Sequence, residues 1–272
     1  MPFTGSHPAA ALPLARLGLP PSALVIGSMA PDLPYYLPTP VNGAATHSLL
    51  GVVSANLLLG LVVLAAWQAL LAPLAIAIGP AAVRDRLPEP APGVAHPVRR
   101  AAAVVVALAA GAATHVAWDS FTHKGRWGPE HIGWLADEHA GLHGYKWAQY
   151  ASGLVGAAAI GLWLLRWWRR NPPMPRRPST SRRFAVASWA AIGLTTATFG
   201  LVAALPALRD ADLDSAGFLA ITRGAGAGLV AAVACAALLA LHRRRQLKAS
   251  APKGLEASNL RREAFERPRR PL

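Results

Sequence analysis

Five stretches of this chain are too long and too apolar for a fold that lives in water. They cover residues 49–78, 101–121, 148–165, 184–205 and 216–241. Crossing the roughly 30 Å hydrocarbon layer of a bilayer takes about 20 apolar residues of helix. Lipid offers no partner to a backbone N–H or C=O, so a stretch of this kind must satisfy those groups within itself, as a helix. The sequence therefore predicts an all-α, polytopic transmembrane bundle of about five spanning helices. Composition agrees, because charged residues are 15% of the 272, against about 25% in soluble domains.

A sixth apolar piece, residues 22–30, is too short to span and predicts a buried or interfacial helix. Pro31, Pro34, Pro38 and Pro40 follow it and predict irregular chain. The start of the chain lacks the basic region of a cleavable signal peptide and is broken by Pro8, Pro13, Pro20 and Pro21. Insertion is expected to rest on the first spanning helix.

The net charge is +14, a value that invites a nucleic-acid partner. The basic residues do not line one face of a domain, however. They lie between and after the apolar stretches, where they orient a membrane protein. Arg166, Arg169, Arg170, Arg176, Arg177, Arg182 and Arg183 fill the loop after the third stretch, and Arg243, Arg244, Arg245 and Lys248 follow the fifth. Arg84, Arg86, Arg99 and Arg100 lie between the first and second. Arg209 with Asp210, Asp212 and Asp214 makes the loop between the fourth and fifth net acidic, and only Arg16 precedes the first. One topology accounts for all of this: a multi-pass protein of the cell (inner or plasma) membrane, N-terminus outside, C-terminus cytoplasmic. Its expected partners are membrane lipids and not nucleic acid. Trp163, Trp167 and Trp168 mark the inner border, and Trp118, Trp127, Trp134 and Trp147 the outer one. Residues 1–245 are expected to form a single transmembrane domain. Residues 246–272 read as a basic, disordered cytoplasmic tail. Its Arg pairs suit anionic headgroups, though orienting the chain is explanation enough.

Residues 1–150 hold eight of the nine histidines, which divides the domain into a candidate metal-site half and, over 151–245, scaffolding helices. His115 and Asp119 are four residues apart and so share a helix face. His123 joins them if the helix runs one turn further. His47 opens the first span, Asp32 precedes it, and His7 lies near the N-terminus. The Lys and Arg topology puts all six near one membrane face. Imidazole and carboxylate suit a divalent first-row ion, zinc foremost, and six such groups suffice for one ion, or two if a carboxylate bridges. Asp32 and Asp119 are equally candidates for general base. Plainer roles compete: Asp32 as a turn cap, and His115–Asp119 as a structural hydrogen bond.

His139 and His143 also have helical spacing, but Gly141 between them favours a loop. His96 and His242 receive no role. Cys235, the single cysteine, rules out an intramolecular disulfide and a cysteine-rich zinc site. There is no Gly-x-Ser-x-Gly elbow, and no phosphate-binding or dinucleotide-binding glycine loop. Gly224, Gly226 and Gly228 suit close helix packing. Arg223 beside them suits snorkelling or an outer carboxylate.

Four segments carry a family likeness: Met-Pro-Phe-Thr-Gly-Ser-His-Pro-Ala-Ala, Gly-Ser-Met-Ala-Pro-Asp-Leu-Pro-Tyr-Tyr, Thr-His-Ser-Leu-Leu-Gly and Thr-His-Val-Ala-Trp-Asp-Ser-Phe-Thr-His-Lys-Gly. In this order they resemble the domain of unknown function 4184 family, uncharacterised bacterial integral membrane proteins, over most of residues 1–240. More distantly, the pattern is similar to membrane-bound metal-dependent hydrolases, an inner-membrane family once linked to binding of the LexA repressor. The matching positions are His7, Asp32, His47, His115 and Asp119. That family often has an Asp pair in its Pro-Asp turn, where this chain has Asp32–Leu33. The likeness implies a metal-dependent hydrolase acting on lipid-like or other amphiphilic substrates. The competing expectation is a non-enzymatic transporter component or scaffold whose His/Asp cluster is structural or ion-conducting. Placement separates the two: ligands on one face favour a pocket, and polar groups continuing across the bundle favour a path.

Overall fold

A computed structural model of the chain describes residues 4–87, 97–174 and 180–250. Five helices are long and apolar enough to cross a membrane. They are preceded by α1 (Pro21–Met29) and are named here α2 (Leu49–Ile78), α3 (Pro97–Thr122), α4 (Gly144–Arg170), α5 (Arg182–Arg209) and α6 (Leu213–Ser250). α2 coincides with its apolar run, whereas α3 to α6 extend about a turn or more past theirs at one end or both, because helical hydrogen bonding continues into the flanks where the apolar run stops. Large apolar side chains such as Leu58, Val62, Leu154, Leu194 and Val230 are exposed along the bundle, as lipid-facing residues are.

α2 is not one regular helix. Ser54 kinks it at the start, with φ −127° and ψ −90°. A π-helical segment at Trp67–Leu71 precedes Pro73, where the proline ring and missing N–H disturb the ladder.

α1 lies inside the bundle. Ala23, Leu24, Gly27 and Ser28 are buried, packed with Leu64 of α2 and Ala107 and Leu108 of α3. Glycine makes this crossing possible. A Cβ on Gly27 would run into the Leu108 backbone, and one on Gly111 into Leu24 O and Ser28 N. The two backbones touch, as small residues allow between membrane helices. α5 and α6 form a second tight pair, Gly200 against Ala220 and Gly224, with Thr196 against Gly224 and Gly228. Leu74, Ala77 and Ile78 of α2 pack on Cys235, Ala236 and Leu239 of α6.

Three expectations change in detail. The chain after α1 is not irregular throughout: Ala30–Asp32 is a 3-10 turn and Leu33–Tyr36 one helical turn. Pro34 fits there because a first-turn residue needs no N–H partner. His139 and His143 lie on a two-stranded hairpin, Glu138–His139 against Leu142–His143. Its turn residues Ala140 and Gly141 have φ of 50° and 82°, the pairing of positive angles that tight hairpins need. Residues 246–250, grouped with the tail by composition, continue α6. The rest of the tail, with His96, Arg176 and Arg177, lies outside the described residues.

Candidate metal centre

Chain direction alternates from span to span. The start of α2, the end of α3 and the starts of α4 and α6 therefore meet at one end of the bundle. Every candidate residue named from the sequence is found there.

Short local structures aim each side chain. Asn42 caps the Gly43–Thr46 turn by accepting from Ala45 N, and Ser48 caps the next helix by accepting from Gly51 N. Between these caps His47 turns inward and is 6% exposed. Thr46 ties this turn to the Pro31–Asp32 segment by donating to Pro31 O at 2.7 Å, and Asn56 Nδ2 donates to Thr46 O at 2.7 Å. Thr4 Oγ1 donates to Asp32 Oδ2 at 2.5 Å, and Tyr36 donates to Thr4 at 2.9 Å.

Asp32, His47, His115 and Asp119 converge. Each offers a ligand atom, and the four atoms lie within 4.8 Å of one another, all buried. His47 Nε2 is 3.3 Å from Asp32 Oδ1 and 3.3 Å from Asp119 Oδ2. His115 Nε2 is 3.5 Å and 3.3 Å from the same two oxygens. These are long for charge-assisted hydrogen bonds, which run about 2.7–2.9 Å. Four ligands arranged tetrahedrally at ~2.1 Å from one ion would stand about 3.4 Å apart along each edge.

The tautomers point the same way. His115 Nδ1 lies 2.7 Å from Ser28 O, and His47 Nδ1 lies 2.8 Å from Gly43 O. A carbonyl only accepts, so each Nδ1 carries the proton and donates it. A neutral ring then turns a bare Nε2 lone pair toward two carboxylates. This is how backbone carbonyls orient metal-binding imidazoles. Protonation of both rings is the plainer alternative, but His115 Nε2 and Asp119 Oδ1 are buried without a hydrogen-bond partner, where such atoms are costly. On all these grounds the donor set fits a divalent ion.

His7 and His123 stand beside the four. His7 stacks on the His115 ring, centroids 3.9 Å apart, and its Nε2 is 3.6 Å from Asp119 Oδ1. His123 lies just past the end of α3, not on a further turn, and its Nδ1 is 3.4 Å from the same oxygen. Gln149 Nε2 donates to Thr122 O at 3.2 Å and meets His123 Nε2 at 3.1 Å. That amide contact makes His123 Nε2 an acceptor and leaves the proton on Nδ1, which meets Thr122 Oγ1 at 3.2 Å and faces Asp119.

Electrostatics follow burial and partners. Burial and the His115 ring push the His7 pKa down to about 4. Burial also lowers His123, despite Asp119 nearby. For His47 burial again works downward, yet contact with Asp119 and Asp32 leaves it raised. Burial would raise Asp32, but His115, His47 and Thr4 hold its carboxyl well below the carboxylate range.

A cavity of about 360 Å3 opens onto this cluster. Asp32, His47, Asp119 and His123 line its floor, and Tyr35, Lys124, Arg126, Tyr145, Lys146 and Phe218 are among its walls. Sequence reasoning missed the wall and the supporting groups Thr4, Thr46 and Gln149. One signal was legible: Lys124 and Arg126 directly follow the Thr114–His123 motif, where the chain leaves the membrane.

The sequence model of the family described as "Domain of unknown function (DUF4184)" matches residues 1–241. The chain belongs to this family. The match covers α1 to α5, α6 as far as Leu241, and the entire cluster, so the cluster lies within the DUF4184 region of the chain. No curated protein and no solved structure matches it. The more distant likeness to membrane-bound hydrolases gains no support from these comparisons.

Proposed function

We propose that this DUF4184 protein is a metal-dependent hydrolase working at the membrane surface on lipid-like or other amphiphilic substrates. The observation that carries the reading is the set of four buried ligand atoms, spaced as around one ion, with both imidazoles oriented by backbone carbonyls. Asp32, His47, His115 and Asp119 would hold the ion, with zinc matching the His/carboxylate set. Such an ion lowers the pKa of water toward neutrality and polarises a phosphoryl or ester oxygen. Asp119 would also serve as general base, a role supported by Oδ1 facing the cluster's second pair of imidazoles, His7 and His123. His7 buttresses the His115 ring, and His123 orients Asp119.

Placement argues against an ion path. Among the described residues, the fully buried polar side chains gather at or near this end of the bundle; Ser188, near the start of α5, is the exception and does not ionise. In the topology read from Lys and Arg, the cluster faces outward and the C-terminus is cytoplasmic.

The test has two readouts on detergent-purified full chain. Metal analysis is expected to find about one zinc per chain in the wild type and none in the doubly substituted H115A/D119A protein. Zinc-loaded wild type is then given short-chain phosphate-ester and carboxylate-ester lipids, with turnover expected for one class and abolished in Asp119→Asn. Equal metal in both proteins would remove the site, and metal without turnover of either class would remove the hydrolase.

A further inference from the structure

The metal reading leaves the walls of the cavity without a task. Lys124, Arg126 and Lys146 line it together with Tyr145. They come from two places: the first residues after α3 and the first turn of α4. Among the described residues none of the three forms an ion pair; the pairs at this end all join histidine to Asp32 or Asp119. The cations therefore make no direct ion pair with either carboxylate. They place three positive charges, none of them in an ion pair, on the walls of a pocket whose floor carries Asp32 and Asp119.

Depth identifies the ligand further. α3 ends at Thr122 and α4 begins at Gly144, so the cations stand at the membrane–water border. Exposed Trp118, Trp127, Trp134 and Trp147 surround this level, as aromatic residues do at headgroup depth. Phe218 and Thr222 of α6 complete the cavity wall. A space of about 360 Å3 lies at the small end of ligand sites. It takes a headgroup and leaves acyl chains in the bilayer.

Resting on the hydrolase reading, we infer that the substrate class is a phosphate-ester amphiphile whose phosphate is gripped by Lys124, Arg126 and Lys146 above the His/Asp cluster. Arg offers a planar fork matched to phosphate oxygens and Lys a compact point charge, and both form strong charge-assisted hydrogen bonds to phosphate. A neutral ester would gain nothing from three unpaired cations.

Binding is measured with full-length protein in zwitterionic-lipid nanodiscs, stripped of metal with EDTA so that no turnover intervenes. The probes are dihexanoyl phosphatidic acid, dihexanoylglycerol and inorganic phosphate. Wild type is expected to bind the phosphatidic acid, and K124A/R126A/K146A to bind it about tenfold or more weakly, a loss of about 1.4 kcal/mol or more. The charge-preserving K124R/K146R protein is expected to keep wild-type affinity, which separates lost charge from lost fold. Inorganic phosphate binding as tightly as the lipid would assign the pocket to free phosphate; weaker binding would assign it to the headgroup with its glycerol. Unchanged phosphatidic acid affinity in the triple variant, or equal affinity for dihexanoylglycerol, overturns the inference. Zinc content read on each protein before the EDTA treatment keeps the two proposals apart: loss of anion binding in a protein purified with its zinc bears on the cations alone, and absent zinc with anion binding intact bears on the metal alone.

Discussion

His115 donates its Nδ1 proton to the backbone carbonyl of Ser28 across 2.7 Å. The bond joins α3 to α1, two helices whose backbones touch at Gly27 and Gly111. It fixes which nitrogen of a buried imidazole is free, and that nitrogen points at Asp32 and Asp119. The chemistry of the site thus depends on a helix crossing one turn away from it.

That dependence gives the first prediction. Gly27→Ala or Gly111→Ala places a methyl group into the backbone of the facing helix. Overpacking of this kind costs about 1–3 kcal/mol. Both proteins are expected to melt lower in detergent and to retain less zinc than wild type. A Gly111→Ala protein with wild-type melting and full zinc would refute the link between crossing and site.

Ligand removal gives the second. Binding to the folded state alone adds stability by mass action, about 2.7 kcal/mol at a hundredfold excess over Kd. EDTA is expected to lower the melting temperature of the wild type, and zinc to restore it. His47→Ala is expected to respond to neither, and a response equal to wild type would mean His47 is not a ligand.

Thr4 carries the third. Its hydroxyl donates to Asp32 Oδ2 and accepts from Tyr36. Thr4→Val keeps the shape and removes the donor. Groups that orient a ligand are worth about 10–100-fold in metal affinity. A zinc titration is expected to show a drop in that range, with Thr4→Ser close to wild type.

The fourth concerns acid. The folded pKa of His7 lies near 4, below the ordinary 6.5, because burial and His115 disfavour its charge. Between those values the unfolded chain takes up a proton that the folded chain does not. Stability therefore falls as pH drops from about 6.5 toward 4 and levels off below, by a little over about 3 kcal/mol at most. The raised pKa of His47 acts in the opposite sense and is common to both proteins compared. Metal-free His7→Gln is expected to lose less melting temperature between pH 7 and pH 5 than metal-free wild type. Equal losses would show that His7 is not held neutral.

Much of this protein was legible from one dimension. Long apolar runs dictate helices because lipid leaves the backbone no other partner, so all five spans were readable, four of them to within a turn or two, while α6 runs past its apolar stretch to Ser250. The i, i+4 spacing of His115 and Asp119 needed only helix geometry, and loop charge alone put His7, Asp32 and His47 on the same side. Tertiary structure decided the rest. Which four of six candidates share a centre depends on a backbone contact between α1 and α3, and no sequence spacing encodes that crossing. Whether His123 ligates or orients depends on Gln149, 26 residues away in the chain. The ring of Lys124, Arg126 and Lys146 exists because α3 and α4 end and begin side by side. Local pattern fixes where a side chain sits on its own helix; only packing fixes what stands opposite.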